Sequence, residues 1–377
     1  YNDGDYTTRA GRADVVINGD SSGDEFGSTL TSGDLDDDGT LDLVVGAVGY
    51  NSSQGRTYVF YNDNISNKNA TESDIVLTGE ATNDLFGYSL VVGDLNNDGT
   101  DDLVVGSANY SATFLSAEGR AYVFYGGNMV SENATGADIT LTGEVSSQFA
   151  TSLVISDLNE DGLLDLVVGA YRYSANTGRV YIFYGGSFVT ENATGADIII
   201  TGEGSADDFG WVLEVGDLNS DGSTDLVVGA QDYAGEGRIY IFYGGSIITE
   251  NASGADVILS GESSTSLFGS SLTIGDINND GTDDLIAAAP ASVGRTYVFY
   301  GGSMTSENAS NADIILEGEN SGDDYGTSLA TGDLNADGTT DLIVGADDFN
   351  SSQGRVYMYT TNDYQITGEG TDSFLGS

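Results

Sequence analysis

The 377-residue chain contains no cysteine and no histidine. Disulfides, thiol nucleophiles, thiolate or imidazole metal sites and every histidine-dependent triad are therefore excluded. Proline and lysine each occur once, at Pro290 and Lys68, and 10 basic residues face 60 acidic ones. A net charge of −50 repels a nucleic-acid backbone or an anionic membrane. No apolar run approaches the roughly 20 residues that span a bilayer. No leader is legible, and a start at Tyr1 reads as a processed or trimmed product.

Hydrophobic residues make up 39% of the chain, enough for a folded core, and 54 glycines fit many tight turns between short strands. One ordinary core holds about 150 residues, so the length calls for a repeat. The repeat is plain. Asp34-Leu-Asp-Asp-Asp-Gly39 recurs at Asp94–Gly99, Asp157–Gly162, Asp217–Gly222, Asp276–Gly281 and Asp333–Gly338, at spacings of 60, 63, 60, 59 and 57 residues. The second unit shows the pattern. A Phe86-Gly87 pair leads through Ser89–Val92 into the acidic loop. Asp102–Gly106 follows as a buried strand, then Arg120–Tyr125, then the alternating Asp138–Gly143 of a half-exposed edge. Six units of four strands predict an all-β fold, a β-propeller forming one domain over residues 1–377. A linear solenoid competes, but its repeats are commonly shorter and it needs capping units, which are not found.

Phe26-Gly27, Phe86-Gly87, Phe209-Gly210 and Phe268-Gly269, each followed by an acidic loop and then Val-Gly-Ala or Ala288-Ala289-Pro290, resemble FG-GAP repeats. The resemblance covers nearly the whole chain and implies the β-propeller of integrin α subunits and related extracellular proteins. Departures are Ala150 after Phe149, Tyr325 in place of Phe and Ser107 in place of Ala; none touches an acidic loop.

The strands count to six complete repeats plus one spare outer strand. Asp14–Gly19 opens the chain as an outer strand, Gln365–Gly368 repeats it, and a truncated Phe374-Leu375-Gly376-Ser377 follows. With the N-terminal strand closing blade six, both chain ends seal the ring and hide an edge. Residues 364–377 are then a donated or linking strand that could join subunits. Seven blades, one incomplete, is the alternative that the resemblance implies.

The acidic loops specify the chemistry. Oxygen-bearing side chains at positions 1, 3, 5 and 9, with Gly at 6 for the sharp turn, can converge on one hard cation. The candidate ligands are Asp34, Asp36, Asp38 and Asp42; Asp94, Asn96, Asp98 and Asp102; Asp157, Asn159, Asp161 and Asp165. The later loops offer Asp217, Asn219, Asp221 and Asp225; Asp276, Asn278, Asp280 and Asp284; Asp333, Asn335, Asp337 and Asp341. An EF-hand needs Glu at position 12, where the second loop has Val105, so position 9 would close the shell. A flexible all-oxygen cage suits Ca2+ better than Mg2+, giving about six calcium sites. Asx-turns without metal are the competing reading. These loops use 19 Asp and leave 41 other acidic groups, so they do not explain the acidity. An Asp coat with almost no Lys fits solubility in concentrated salt.

Three further features recur. Arg56, Arg120, Arg179, Arg238, Arg295 and Arg355 each follow a Gly and are expected to pair with carboxylates between blades. Tyr50, Tyr110, Tyr171, Tyr173, Tyr233 and Phe349 fall after the second strand, on the face opposite the acidic loops, as partner-face candidates or as packing over the blade ends. Glycosylation sequons begin at Asn51, Asn64, Asn69, Asn109, Asn133, Asn192, Asn251, Asn308 and Asn350, five of them at one point of the repeat.

The expected function is a non-catalytic extracellular calcium-binding module in adhesion, or a structural or filament subunit. It would sit outside the cell or on its surface, with a salt-adapted archaeon as one setting. The partner would be a protein or glycan at the loop face. The alternative is a carbohydrate- or phosphoester-processing enzyme domain carried on a propeller, although each clustered Asp belongs to a loop that recurs six times.

Overall fold

Each Asp-Leu-(Val/Ile)-(Val/Ala)-(Gly/Ala)-(Ala/Ser) run forms a strand, and from Asp102–Ser107 to Asp284–Ala289 these strands are buried throughout. A continuous apolar run without alternation is what a strand covered on both faces requires. The third strand of each unit is antiparallel to it, with Leu166 opposite Phe183 and Ala170 opposite Arg179. The fourth closes the set, with Arg179 opposite Thr201. Our computed structural model of the protein describes residues 15–62, 66–112, 116–186, 188–263 and 266–360.

Six such sheets make a six-bladed β-propeller, and the solenoid alternative is excluded because successive innermost strands pack side by side around a common axis. Blade three shows the full order: Leu153–Ser156, Asp165–Ala170, Arg179–Phe183 and Ile198–Thr201. Four blades also carry a fifth, two-residue strand that the four-strand reading missed. Glu250-Asn251, for example, pairs in parallel with Ile200-Thr201 of the preceding blade and latches consecutive repeats together.

The core lies between blades. Phe149 meets Tyr181 of its own blade edge-on at 5.4 Å between ring centroids, and packs with Val123, Ile139 and Leu141 of the blade before. Its backbone lies so near Gly119 that a Cβ there would sit 2.2 Å from the Phe149 carbonyl oxygen. The Phe-Gly pair is therefore a corner that wedges one blade against the next.

The N-terminal strand departs from expectation. Ile17-Asn18 pairs in parallel with Lys68-Asn69 rather than with Arg355–Tyr359, and among the described residues blade six has three strands. The cause is local. Ile17-Asn18 makes the pairing that Leu77-Thr78 makes with Glu132-Asn133, so it takes a fourth-strand place ahead of blade one. The outer-strand copy Gln365–Gly368 and the segment 364–377 lie outside the described residues.

Candidate metal centres

The acidic loops join the first and second strands at one end of the blades. Within each loop, backbone N–H groups shape the turn by donating to the side chains. In the second loop, Asp98 N donates to Asp94 Oδ1 (3.0 Å) and Asn96 Oδ1 (2.8 Å), Gly99 N to Asp94 Oδ2 (2.9 Å) and Thr100 N to Asp98 Oδ1 (3.0 Å). The same set recurs in the loops starting at Asp157, Asp217, Asp276 and Asp333. Asx-turns are thus present. They leave room for a cation, because each carboxylate has about four lone-pair sites and these bonds use few of them.

Position 9 differs from the other three. Asp102 is buried, and it accepts from Leu95 N (3.0 Å) and Asn96 N through Oδ2 and from Gly126 N (3.0 Å) through Oδ1. Asp165, Asp225 and Asp284 do the same with Leu158 and Gly185, Leu218 and Gly244, and Ile277 and Gly301. Burial pushes these four carboxyls up to about 6, against the lowering effect of those backbone donors. The residue holds the loop to the third strand as well as facing the cluster.

In the first loop, oxygens of Asp34, Asp36 and Asp42 lie within 4.8 Å of one another. Asp36 Oδ1 is buried with no hydrogen-bond partner among the described residues, and burial followed by the Asp38 charge raises its pKa. A hard, all-oxygen, anionic donor set with an orphaned buried oxygen fits a hard divalent cation. Asp38 is outside that triplet; its Oδ1 accepts from Thr40 N and Oγ1. The other loops carry Asn at position 3, and no further carboxylate triplet meets the spacing among the described residues.

At the opposite end lie the arginines and aromatics. Arg179 Nη1 is 2.6 Å from Glu144, which sits on the turn after the fourth strand of the preceding blade. Tyr181 also donates to Glu144 (2.8 Å), and Arg179 Nε donates to Thr201 (3.0 Å). The guanidinium lies over the Tyr173 ring at 3.8 Å. Arg56, Arg120, Arg238 and Arg355 cover Tyr50, Tyr110, Tyr233 and Phe349 in the same way, at 3.6–3.8 Å. Five of the six aromatic candidates are therefore ring faces already stacked on arginine. The sixth, Tyr171, meets Trp211 edge-on at 4.9 Å, with Arg172 over its ring at 5.4 Å. Trp211 escaped the sequence reading, although it is the single Trp and replaces the Ser or Thr that follows most other corners.

The repeated asparagines have a local task. Asn251 Oδ1 accepts from Ser253 N (3.1 Å), and its Nδ2 donates to Gly202 O (2.9 Å) across the blade boundary. Asn133 and Asn308 do likewise. Asn64 lies outside the described residues.

A family model described as FG-GAP repeat matches residues 26–60, 86–124, 149–183, 209–242, 268–299 and 325–359. The chain is 28% identical over 302 residues to phosphatidylinositol-glycan-specific phospholipase D of Bos taurus, covering 69% of this chain and 35% of that protein. It is 31% identical over 241 residues to integrin alpha-5 of Xenopus laevis, covering 60% of this chain and 22% of that one. With integrin alpha-7 of Rattus norvegicus it shares 37% identity over 164 residues, 42% of this chain and 14% of that one. The chain thus spans about a third or less of the length of these relatives. One expectation is overturned. A chain matched over 69% of its length by a protein named as a phospholipase D cannot be set down as belonging to no enzyme.

Proposed function

The chain belongs to the FG-GAP repeat family, and on that premise we propose that its propeller is a calcium-loaded recognition module working outside the cell or on its surface. The observation that carries this reading is the sixfold loop, whose backbone bonds fix the side-chain oxygens while leaving them acceptor capacity. Asp34, Asp36 and Asp42, with their counterparts at positions 1, 3 and 9, would hold the ion, and position 5 would complete the cage. A bound cation supplies local charge neutralisation and ties the first strand of a blade to its second. Affinity in the ~0.1–1 mM range of extracellular modules would suffice there. No helix among the described residues is long and apolar enough to cross a membrane.

The partner, a protein or glycan in adhesion or surface structure, would meet the face opposite the cation loops. Support comes from Tyr88, Tyr171, Arg172 and Trp211, which break the repeat there and carry aromatic surface outside the five arginine stacks. A second reading, in which the propeller is one part of a phosphoester-cleaving enzyme, is favoured by the phospholipase relatives.

Terbium is the direct test of the ion. Tyr125, Tyr184, Tyr243 and Tyr300 stand within electrostatic reach of the loop carboxylates and would sensitise a lanthanide bound among them. Chelator-stripped protein should show saturable terbium emission on tyrosine excitation that calcium displaces. Emission that neither saturates nor responds to calcium would refute the reading.

A further inference from the structure

Blade six presents bare the face that its five counterparts bury. At the two outward positions of the third strand, Thr57 and Val59, Ala121 and Val123, Val180 and Ile182, Ile239 and Ile241, and Thr296 and Val298 are fully buried. The corresponding Val356 and Met358 are 65% and 53% exposed, and Leu334 of the acidic loop is 52% exposed where its five counterparts are buried. A Cβ on Gly33, Gly93, Gly216 or Gly275 would strike the following blade, whereas one on Gly332 would meet nothing within 4 Å.

The same face holds a cavity of about 360 Å³ lined in part by Ser328, Gly345, Gly354 and Arg355. In blade three, the matching Ser152, Gly169 and Gly178 enclose the Phe209-Gly210 corner of the next repeat. Ser152 Oγ donates to Gly210 O (2.9 Å), and Gly178 bridges Phe209. The cavity is therefore a corner socket without its corner among the described residues. One polar group at the loop end is also unmatched. Asp341 Oδ1 is fully buried and has no partner among the described residues, whereas the equivalent oxygens take the N–H of the residue two beyond the third strand, as in Asn62, Gly126, Gly185, Gly244 and Gly301. Residue 361 holds that place in sequence.

We propose that residues 361–377 of this same chain seat on this face as strand and corner. The register follows from the other blades. Asp363-Tyr-Gln-Ile-Thr-Gly368 matches Asp197-Ile-Ile-Ile-Thr-Gly202, so Arg355 stands opposite Thr367, Val356 opposite Ile366 and Met358 opposite Tyr364. The turn this leaves after Tyr359 is short, within the length of an ordinary hairpin loop. Gly368 to Leu375 spans seven residues, as do Gly79 to Phe86 and Gly202 to Phe209. Leu375-Gly376 thus reaches the socket, with Ser328 donating to the Gly376 carbonyl and the Thr361 N–H meeting Asp341. Ile366, Tyr364 and Leu375 cover Val356 and Met358. The seating does not depend on the partner or activity argued above.

The chain lacks cysteine, so engineered pairs report cleanly. Full-length protein carrying Val356→Cys with Ile366→Cys, oxidised in calcium, should give a disulfide within one chain. Val356→Cys with Gln365→Cys, one residue out of register and on the opposite face, should stay reduced. A disulfide found only between chains would mean that a second copy fills the face, and no disulfide would mean that the strand does not add there; either result overturns the proposal. Leu375→Asp should lower the melting temperature by several degrees, and an unchanged value would remove the corner from the socket. No described residue buries Val356, so its substitution leaves the six described blades folded.

Discussion

Asp102 and Asp98 are four residues apart in one loop and have separable tasks. Asp102 is buried and satisfies three backbone donors, while Asp98 faces solvent and accepts from Thr100. Asp102→Ala strands buried N–H groups and should cost roughly 2–4 kcal/mol even in chelator. Asp98→Ala should leave the chelator-treated protein near wild type and weaken calcium binding instead. Chemical denaturation with and without calcium separates the two, and equal losses in chelator would contradict this division. Glu214, on the innermost strand of blade four, offers a pH test. Burial pushes its carboxyl up to about 7, so the folded state holds the proton more tightly than the unfolded chain. Its contribution to stability is therefore complete at low pH and is lost as pH rises through 7. Glu214→Gln should melt above wild type at pH 8, with the gap closing by pH 5.

At the scale of elements, an Arg–Glu clamp on the third strand joins each of blades two to six to the blade before it. Arg179 holds Glu144, Thr201 and the Tyr173 face at once. Arg179→Ala leaves the Glu144 carboxylate half-buried without its cation, at a cost on the order of 1–3 kcal/mol. Arg179→Lys should recover only part, because an ammonium cannot stack and fork together. Thermal melts of both variants check the order. The clamp also shows what was legible. Acidic loops, Phe-Gly corners and buried strands repeat at fixed spacing, so the four-stranded units and the inter-blade Arg–Glu pairs could be read directly. The aromatic stacks left a fainter signal, the company that Tyr50, Tyr110, Tyr173, Tyr233 and Phe349 keep with a following Arg. In blade five, where Pro290–Val293 supplies no ring, Arg295 takes a second carboxylate, Glu317. The two-residue latch strands were hidden because Glu-Asn before an Ala carries no strand pattern. The repeated sequon is read differently with the structure in hand, since the side chains of Asn133, Asn251 and Asn308 cap the following turn and bond across blades.

For the whole molecule, radial stacking converts six weak units into one body, with the corners of blades two to six each lying between two sheets. The path of Ile17-Asn18 could not be read from its own residues. Its parallel partner comes from the following repeat, and only three dimensions show that it stands ahead of blade one. A net charge of −50 works against compaction, and part of it is gathered in the six loops where a divalent ion would offset it most. The measurement that tests this most directly is the thermal unfolding of the full chain at low ionic strength, in calcium and in chelator. Calcium at tenfold its dissociation constant adds about 1.4 kcal/mol per site, so the calcium sample should melt well above the chelated one. Superimposable melting curves would contradict the account.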